Sequence, residues 1–153
     1  MLRHRDCQPR GVPPLRGLRR FAGDHDGASA VEFAIIAPVF ILMIVGVLAY
    51  GIYFGAASSV QQIAADAART SIAGLSPTER NTLVTAFIAN NAGGYVFIDP
   101  DEVDFTIGDD ANDPNQYKVT ITYDASQLPI WVLPVPLPDK IISYTSTIRL
   151  GGI

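Results

Sequence analysis

The stretch GASAVEFAIIAPVFILMIVGVLAYGIYF, residues 27–54, decides the fold of this chain. Its last 22 residues, from Phe33 to Phe54, carry no charge. At ~1.5 Å per residue, a helix of this length covers ~33 Å, enough to cross a hydrocarbon core of ~30 Å. One acid, Glu32, stands at the start of the run, although a carboxylate at the centre of a membrane helix costs ~3 kcal/mol and somewhat less near the interface. The stretch therefore predicts a membrane helix with Glu32 as a candidate functional residue.

Charge is distributed unevenly on the two sides of the apolar run. Residues 1–27 carry six arginines against three aspartates, a formal +3, whereas residues 28–153 carry five basic against twelve acidic side chains, a formal −7. This asymmetry predicts an N-terminus in the cytoplasm and a C-terminal domain outside. A basic N-terminal tail also fits a nucleic-acid-binding arm, but the apolar run that follows within a few residues favours the membrane.

A cleaved secretory signal is the main rival to a membrane helix. Its apolar core is typically ~7–15 residues and ends at a site flanked by small residues. The run here is longer, and it continues without a break into a helix-compatible stretch from Gly55 to Ala73. In that stretch an apolar stripe is expected to face the protein interior. The stripe consists of Val60, Ile63, Ala64, Ala67, Ala68 and Ile72.

A second helix is predicted to start at Ser76-Pro77-Thr78-Glu79, where serine caps, proline suits the first helical position and Glu79 completes a capping box. It should end at Gly93-Gly94. The pattern then changes to alternation, and four strands are predicted: Tyr95–Ile98, Val103–Ile107, Tyr117–Tyr123 and Ile141–Leu150. The fold class is thus α+β: a long N-terminal transmembrane and amphipathic helix, a second short helix, and a small antiparallel sheet of three or four strands.

Two loop regions separate the predicted strands. Residues 108–115 contain Gly, Asp, Asn and Pro and predict a turn. Residues 127–139 contain four prolines and predict an extended connection in which Trp131 either covers the sheet or forms a partner surface.

Catalysis finds little support in the residue types present. After Gly27 the chain has no cysteine, and its histidines, His4 and His25, lie before that residue. Ser-His-Asp and Cys-His arrangements and zinc ligation by N and S are therefore not expected in the C-terminal domain. We expect no catalytic residues, no cofactor and no metal. The acidic loop that includes Asp109, Asp110 and Asp113 lacks the spacing of a calcium-binding loop, and a solvated charged loop is the favoured interpretation.

Three parts of the chain together resemble the TadE-like family of minor pseudopilins of the tight-adherence (Tad, or Flp) pilus system. They are GASAVEFAIIAPVFILMIVG at the junction, AADAARTS after the membrane run, and a tail of KVTITY, LPIWVLPVPLP and YTSTIRL. The resemblance implies that a membrane prepilin peptidase cuts after Gly27, so that Ala28 becomes the N-terminus, Glu32 the fifth residue and Phe33 the sixth. It also implies an assembly role for Glu32, which would pair with the new α-amino group of an adjacent subunit.

The sequence thus predicts a basic cytoplasmic leader (1–27), a transmembrane helix (28–54) and an extracytoplasmic α+β domain (55–153). The resemblance implies a single-pass protein of the inner membrane that assembles a pilus and is not an enzyme. The implied partners are the prepilin peptidase, other pilins and pseudopilins, the pilus assembly platform and the lipid bilayer, with no nucleic acid. An alternative is an uncleaved, signal-anchored envelope protein whose outer domain is a binding module.

Overall fold

The computed structural model describes residues 25–111, 113 and 115–149, and it opens with one long helix. This helix, α1, runs from His25 to Thr70 and is continuous through Pro38. A 3₁₀ turn, Ser71–Ala73, follows it, and the Gly74 N–H donates to the Ser71 carbonyl over 3.1 Å. The predicted helix is confirmed up to Thr70, and its last three residues, Ser71–Ala73, form the tighter 3₁₀ turn instead. Most of the predicted leader, residues 1–24, lies outside the described residues.

The chain divides between Ile41 and Leu42 into two compact units, with α1 contributing to both. The described part of the first unit belongs to α1, and its side chains are described from residue 27 onward. The second unit contains the rest of α1 and every other element. The predicted domain boundary at residues 54 and 55 stays a prediction, although contacts of the second unit begin earlier along α1.

The second helix, α2, runs from Pro77 to Asn91 and starts where its capping residues predicted. The Ser76 hydroxyl accepts the Glu79 N–H over 3.2 Å. The Glu79 carboxylate accepts the N–H of Leu75 over 2.9 Å, one residue earlier than a capping box requires. Both bonds satisfy backbone donors near the start of α2, which has no earlier turn to accept them. A 3₁₀ turn, Ala92–Gly94, ends the helical region.

Three antiparallel strands form the sheet in the order β1-β2-β3: β1 is Val103–Asp109, β2 is Gln116–Asp124 and β3 is Ile141–Arg149. In the register, Phe105 lies opposite Ile121, and Ile121 lies opposite Tyr144. Alternation along the central strand is confirmed, because every second side chain is at most 1 % exposed. These buried side chains are Tyr117, Val119, Ile121 and Tyr123.

The prediction of a strand over Tyr95–Ile98 was wrong, because these residues form a turn. Phe97 has φ 61°, a left-handed conformation that a strand does not allow. The turn is held by neighbouring side chains: the Ser59 hydroxyl donates to the Val96 carbonyl over 2.8 Å, and the Tyr123 hydroxyl donates to the Phe97 carbonyl over 3.1 Å. The segment is rich in strand-forming types, but these bonds to α1 and β2 select another conformation.

The core lies where α1 and α2 bury their apolar residues with the inner face of β2. On α1 the predicted stripe is confirmed at five positions, each at most 1 % exposed: Val60, Ile63, Ala64, Ala67 and Ala68. Ile72 was wrongly included, since it is 66 % exposed. The α-helix ends at Thr70, so the 3.6-residue period no longer sets the direction of Ile72.

The connection from β2 to β3 was expected to be extended but begins with two 3₁₀ turns, Ala125–Gln127 and Pro129–Val132. The Asp124 carboxylate starts the first turn by accepting the Ser126 N–H over 2.9 Å. The indole N–H of Trp131 donates to the Ala125 carbonyl over 2.6 Å. Ile130 is buried and Trp131 half-buried, whereas Val132 is 85 % exposed, so only part of this segment covers the core.

Candidate processing and assembly segment

The residues of the predicted processing site all lie near the start of α1 and are exposed. A Cβ added at Gly27 would meet no heavy atom of the described residues within 4 Å. Among the residues that the structure describes, no side chain therefore packs against Gly27.

Glu32 lies one helical turn beyond Ala28, on the same side of α1, because residues four apart are neighbours on a helix surface. Side chains of a helix lean towards its N-terminus, so the Glu32 carboxylate leans towards Ala28. In a chain that began at Ala28, this carboxylate would lie close to the positive end of the helix dipole and to a charged α-amino group. A chain that began at Ala28 would thus place a positive charge about one turn from Glu32.

From Val31 to Leu48, α1 exposes large apolar side chains at positions on every side of the helix. Phe33, at 73 %, and Ile35, at 68 %, are among the most exposed. A helix that is apolar all round needs an apolar environment. By length and composition, α1 is able to cross a membrane. A single N-terminal apolar helix of this kind fits a membrane anchor.

Acidic side chains of the second unit are engaged in pairs and turns. Asp109 lies 3.8 Å from the Arg80 guanidinium, and Asp110 pairs with Lys118. Asp113 accepts both the Asn115 N–H and the Gln116 side-chain amide over 2.9 Å. Among residues 25–111, 113 and 115–149, no group of three or more His, Cys, Asp or Glu side chains is arranged to hold a metal ion. Asp109, Asp110 and Asp113 thus take part in ion pairs and hydrogen bonds with neighbouring residues.

Three tyrosine hydroxyls of the second unit donate hydrogen bonds to distant residues, and the sequence analysis did not predict these bonds. Tyr95 donates to the Asp66 carboxylate over 2.9 Å, Tyr117 to the Asn81 side chain over 2.7 Å, and Tyr123 to a backbone carbonyl. Burial is the main cause that raises the pKa of all three hydroxyls, and that of Tyr95 reaches about 12. The sequence held one signal: a tyrosine at each end of the buried face of β2 must find an acceptor for its hydroxyl.

A contact between the end of the apolar run and the proline-rich connection was also missed. The Tyr50 hydroxyl donates to the Pro136 carbonyl over 2.5 Å, and the Tyr53 hydroxyl donates to the Asp139 carbonyl over 3.2 Å. The partners in each bond are 86 residues apart in the chain. Tyrosines at the end of a membrane run are a known interfacial signal, but nothing in their spacing names a partner so distant.

These features define a class, the α+β proteins that combine one N-terminal apolar helix, fit to anchor in a membrane, with a small domain built on a three-stranded antiparallel sheet. Residues 27–69 match the model of the family described as TadE-like protein. The match confirms the resemblance at the junction, the apolar run and the alanine-rich stretch up to Arg69, and the resemblance of the tail stays a prediction. It supports a protein associated with the tight-adherence pilus. No curated protein and no solved structure matches the chain.

Proposed function

We propose that this chain is a minor pseudopilin that supports assembly of a tight-adherence pilus and is matured by a prepilin peptidase between Gly27 and Ala28. The observation that carries the proposal is the TadE-like match, which begins at Gly27 and ends at Arg69. It coincides with the junction, the apolar run and the alanine-rich stretch that follows. The absence of described heavy atoms within 4 Å of a Cβ at Gly27 supports the cleavage step.

The proposed location is the inner membrane, with the N-terminus in the cytoplasm and the C-terminal domain outside the cytoplasm. Six arginines precede the apolar run, and the charge of the remainder is negative, as the positive-inside rule requires for this orientation. Fusions of a reporter to residue 1 and to residue 153, expressed without the prepilin peptidase so that residues 1–27 stay attached, test the topology. The opposite orientation would contradict the placement.

In assembly, we assign Glu32 the task of fixing subunit register. The apolar surface of α1 between Val31 and Leu48 would meet α1 helices of neighbouring subunits. In such a low-dielectric setting a lone carboxylate is costly, and pairing with the α-amino group of Ala28 in the next subunit offsets that cost. Only one relative position of two subunits satisfies the pair, so the pair selects register.

The processing step is tested by the intact mass of the membrane-extracted protein, expressed with and without its cognate peptidase. A peptidase-dependent loss of residues 1–27 is expected. Gly27→Val should block it, because the added side chain fills the position next to the cut bond, while Ala30→Val, three residues away on the same open helix, should not. An uncut chain in the presence of an active peptidase would sink the processing proposal and favour the signal-anchored alternative.

Assembly is tested separately by Glu32→Gln, which keeps the shape of the side chain and removes its charge. Cleavage should persist, whereas co-purification with other pilins and the yield of pili should fall. Unchanged assembly would refute the role of Glu32 without affecting the processing proposal. A cut near Ala56–Ala57 that needs no prepilin peptidase would indicate a secreted domain instead.

A further inference from the structure

The proline-rich segment 132–138 lies beside the last turns of the apolar run. Within the second unit, a Cβ added at Gly46 would lie 4.0 Å from a methyl group of Val135, which is van der Waals contact. The bonds from Tyr50 to Pro136 and from Tyr53 to Asp139 continue this contact along α1. Of these contacts along α1, the one at Val135 lies furthest inside the apolar run, and the one at Asp139 lies near the end of the run.

The position of Gly46 within the apolar run indicates how far into a membrane this contact would lie. Gly46 precedes Phe54, the end of the charge-free run, by eight residues. At ~1.5 Å per residue this is ~12 Å along the helix. A run of 22 residues fills a membrane with little to spare, so an element beside Gly46 lies at the level of the outer interface or below it.

The backbone of the segment suits an environment with little water. Pro134, Pro136 and Pro138 have no N–H to satisfy. Of the other donors, the N–H of Leu133 reaches the Ile130 carbonyl over 3.2 Å, and the N–H of Val135 reaches the Leu133 carbonyl over 2.8 Å. Irregular backbone is tolerated near hydrocarbon only when its polar groups are satisfied or absent. Of the seven residues in segment 132–138, three have no N–H and two more have a paired N–H, so the segment meets the condition for donors at five positions.

The side chains are equally suited to lipid. No charged residue occurs between Asp124 and Asp139. Val132 is 85 % exposed, and the three prolines are exposed too. Charges resume at Asp139 and Lys140, and the Lys140 ammonium lies 5.4 Å from the centre of the Trp131 ring. Tryptophan and lysine at the edge of an apolar segment are typical of membrane–water interfaces.

We propose that segment 132–138 inserts into the outer interface of the membrane that α1 spans, as a second lipid contact of the protein. The proposal goes beyond the pilus role and rests only on α1 being a membrane anchor. A lipid surface is favoured over a protein groove because the segment is level with the membrane run and lacks charge. Cover by a second copy of the chain is the rival outcome of the test.

The test uses the full chain with Cys7→Ser, in vesicles of phosphatidylcholine and phosphatidylglycerol. Cys7 is the only cysteine, so Val132→Cys carries a single environment-sensitive fluorophore. Leu75→Cys is the matched control, because Leu75 is an apolar residue that is 94 % exposed and lies before α2. Quenching by lipids with a nitroxide near the headgroup is compared with quenching by aqueous iodide. At residue 132 we expect a shorter emission wavelength, strong lipid quenching and weak iodide quenching, and at residue 75 the reverse.

Trp131 provides a second readout without a label, since it is the only tryptophan in the chain. Lipids brominated at shallow acyl positions should quench its emission, and Val132→Asp should reduce that quenching, whereas Leu75→Asp should leave it unchanged. Iodide quenching at residue 132 equal to that at residue 75 would overturn the proposal. Protection of residue 132 from both quenchers would also overturn it, because protein rather than lipid would then cover the segment.

Discussion

Tyr95 ties the turn after α2 to α1 through its bond to the Asp66 carboxylate, and we expect the burial of its hydroxyl to make the protein sensitive to alkaline pH. Burial and then the nearby carboxylate raise the pKa of Tyr95 to about 12. An unfolded tyrosine titrates near ~10. The folded state therefore holds its proton more tightly, and stability is full below the unfolded pKa and is lost as pH rises through the folded value.

We expect the free energy of unfolding in detergent to fall as pH rises from about 10 towards 12. In Tyr95→Phe the hydroxyl is gone, so stability should drop by ~1 kcal/mol at neutral pH and decline less steeply between these limits. Urea unfolding followed by circular dichroism at stepped pH measures both effects. Parallel pH curves for the two proteins would contradict the assignment.

Gly74 is a residue where packing leaves no room for a side chain. A Cβ at this position would lie 2.7 Å from the Arg80 backbone nitrogen and 2.9 Å from its Cα. Because backbone atoms cannot rotate away, Gly74→Ala should destabilise the protein by ~1–3 kcal/mol, the usual cost of overpacking. Gly94→Ala is the matched control, since its Cβ would meet nothing within 4 Å. Thermal unfolding compares them, and equal midpoints would refute the clash.

At the scale of elements, the side chains of β2 alternate between a face buried in the core and a face directed away from it. Ile121 is fully buried, whereas its neighbour Thr120 faces away from the core and shares a 2.8 Å hydroxyl contact with Thr145 on β3. Neighbouring residues of one strand point to opposite faces, so two adjacent substitutions sample the two environments.

Ile121→Ala should cost ~2–5 kcal/mol, as expected for a large side chain removed from a core. Thr120→Ala should cost below ~1 kcal/mol, the scale of one exposed cross-strand pair. Chemical denaturation of both variants in the same detergent gives the difference. Similar losses would mean that both faces of the sheet are packed.

The elements show which local signals were sufficient for prediction. Ser76 and Pro77 predicted the start of α2, and strict alternation predicted the buried face of β2, because caps and periodicity act over a few residues. Tyr95–Ile98 failed because the left-handed Phe97 depends on bonds to Ser59 and Tyr123. Gly27 and Glu32 were found from the sequence alone, and their roles in processing and assembly stay predictions.

At the scale of the whole molecule, long-range contacts decide what the sequence left open. The proline-rich segment was predicted as a connection, but its position beside Tyr50 and Tyr53 depends on residues 86 positions away. No pattern within either segment encodes that distance, so the contact appears only in three dimensions. It also means that the C-terminal domain uses residues from inside the predicted membrane run.

A fragment of residues 55–153, the predicted outer domain, should therefore keep its core and lose the anchor of its proline-rich segment. Compared with a fragment of residues 46–153, its amide protons at Leu133 and Val135 should exchange faster, because the bonds from Tyr50 and Tyr53 are missing. Exchange in β2 serves as the control and should be similar in both. Equal protection at Val135 would show that the segment holds its shape without α1.

The alanine-rich stripe of α1 has a consequence for the chain during its synthesis. The stripe ends at Ala68, and the strand that covers it, β2, begins at Gln116. At ~5–20 residues per second, the ribosome needs several seconds to supply that cover. Meanwhile the stripe is unprotected, and three of its five buried members are alanines, which offer little surface to a passing chain. We expect these small side chains to limit association of the nascent chain with other molecules before its own sheet is synthesised.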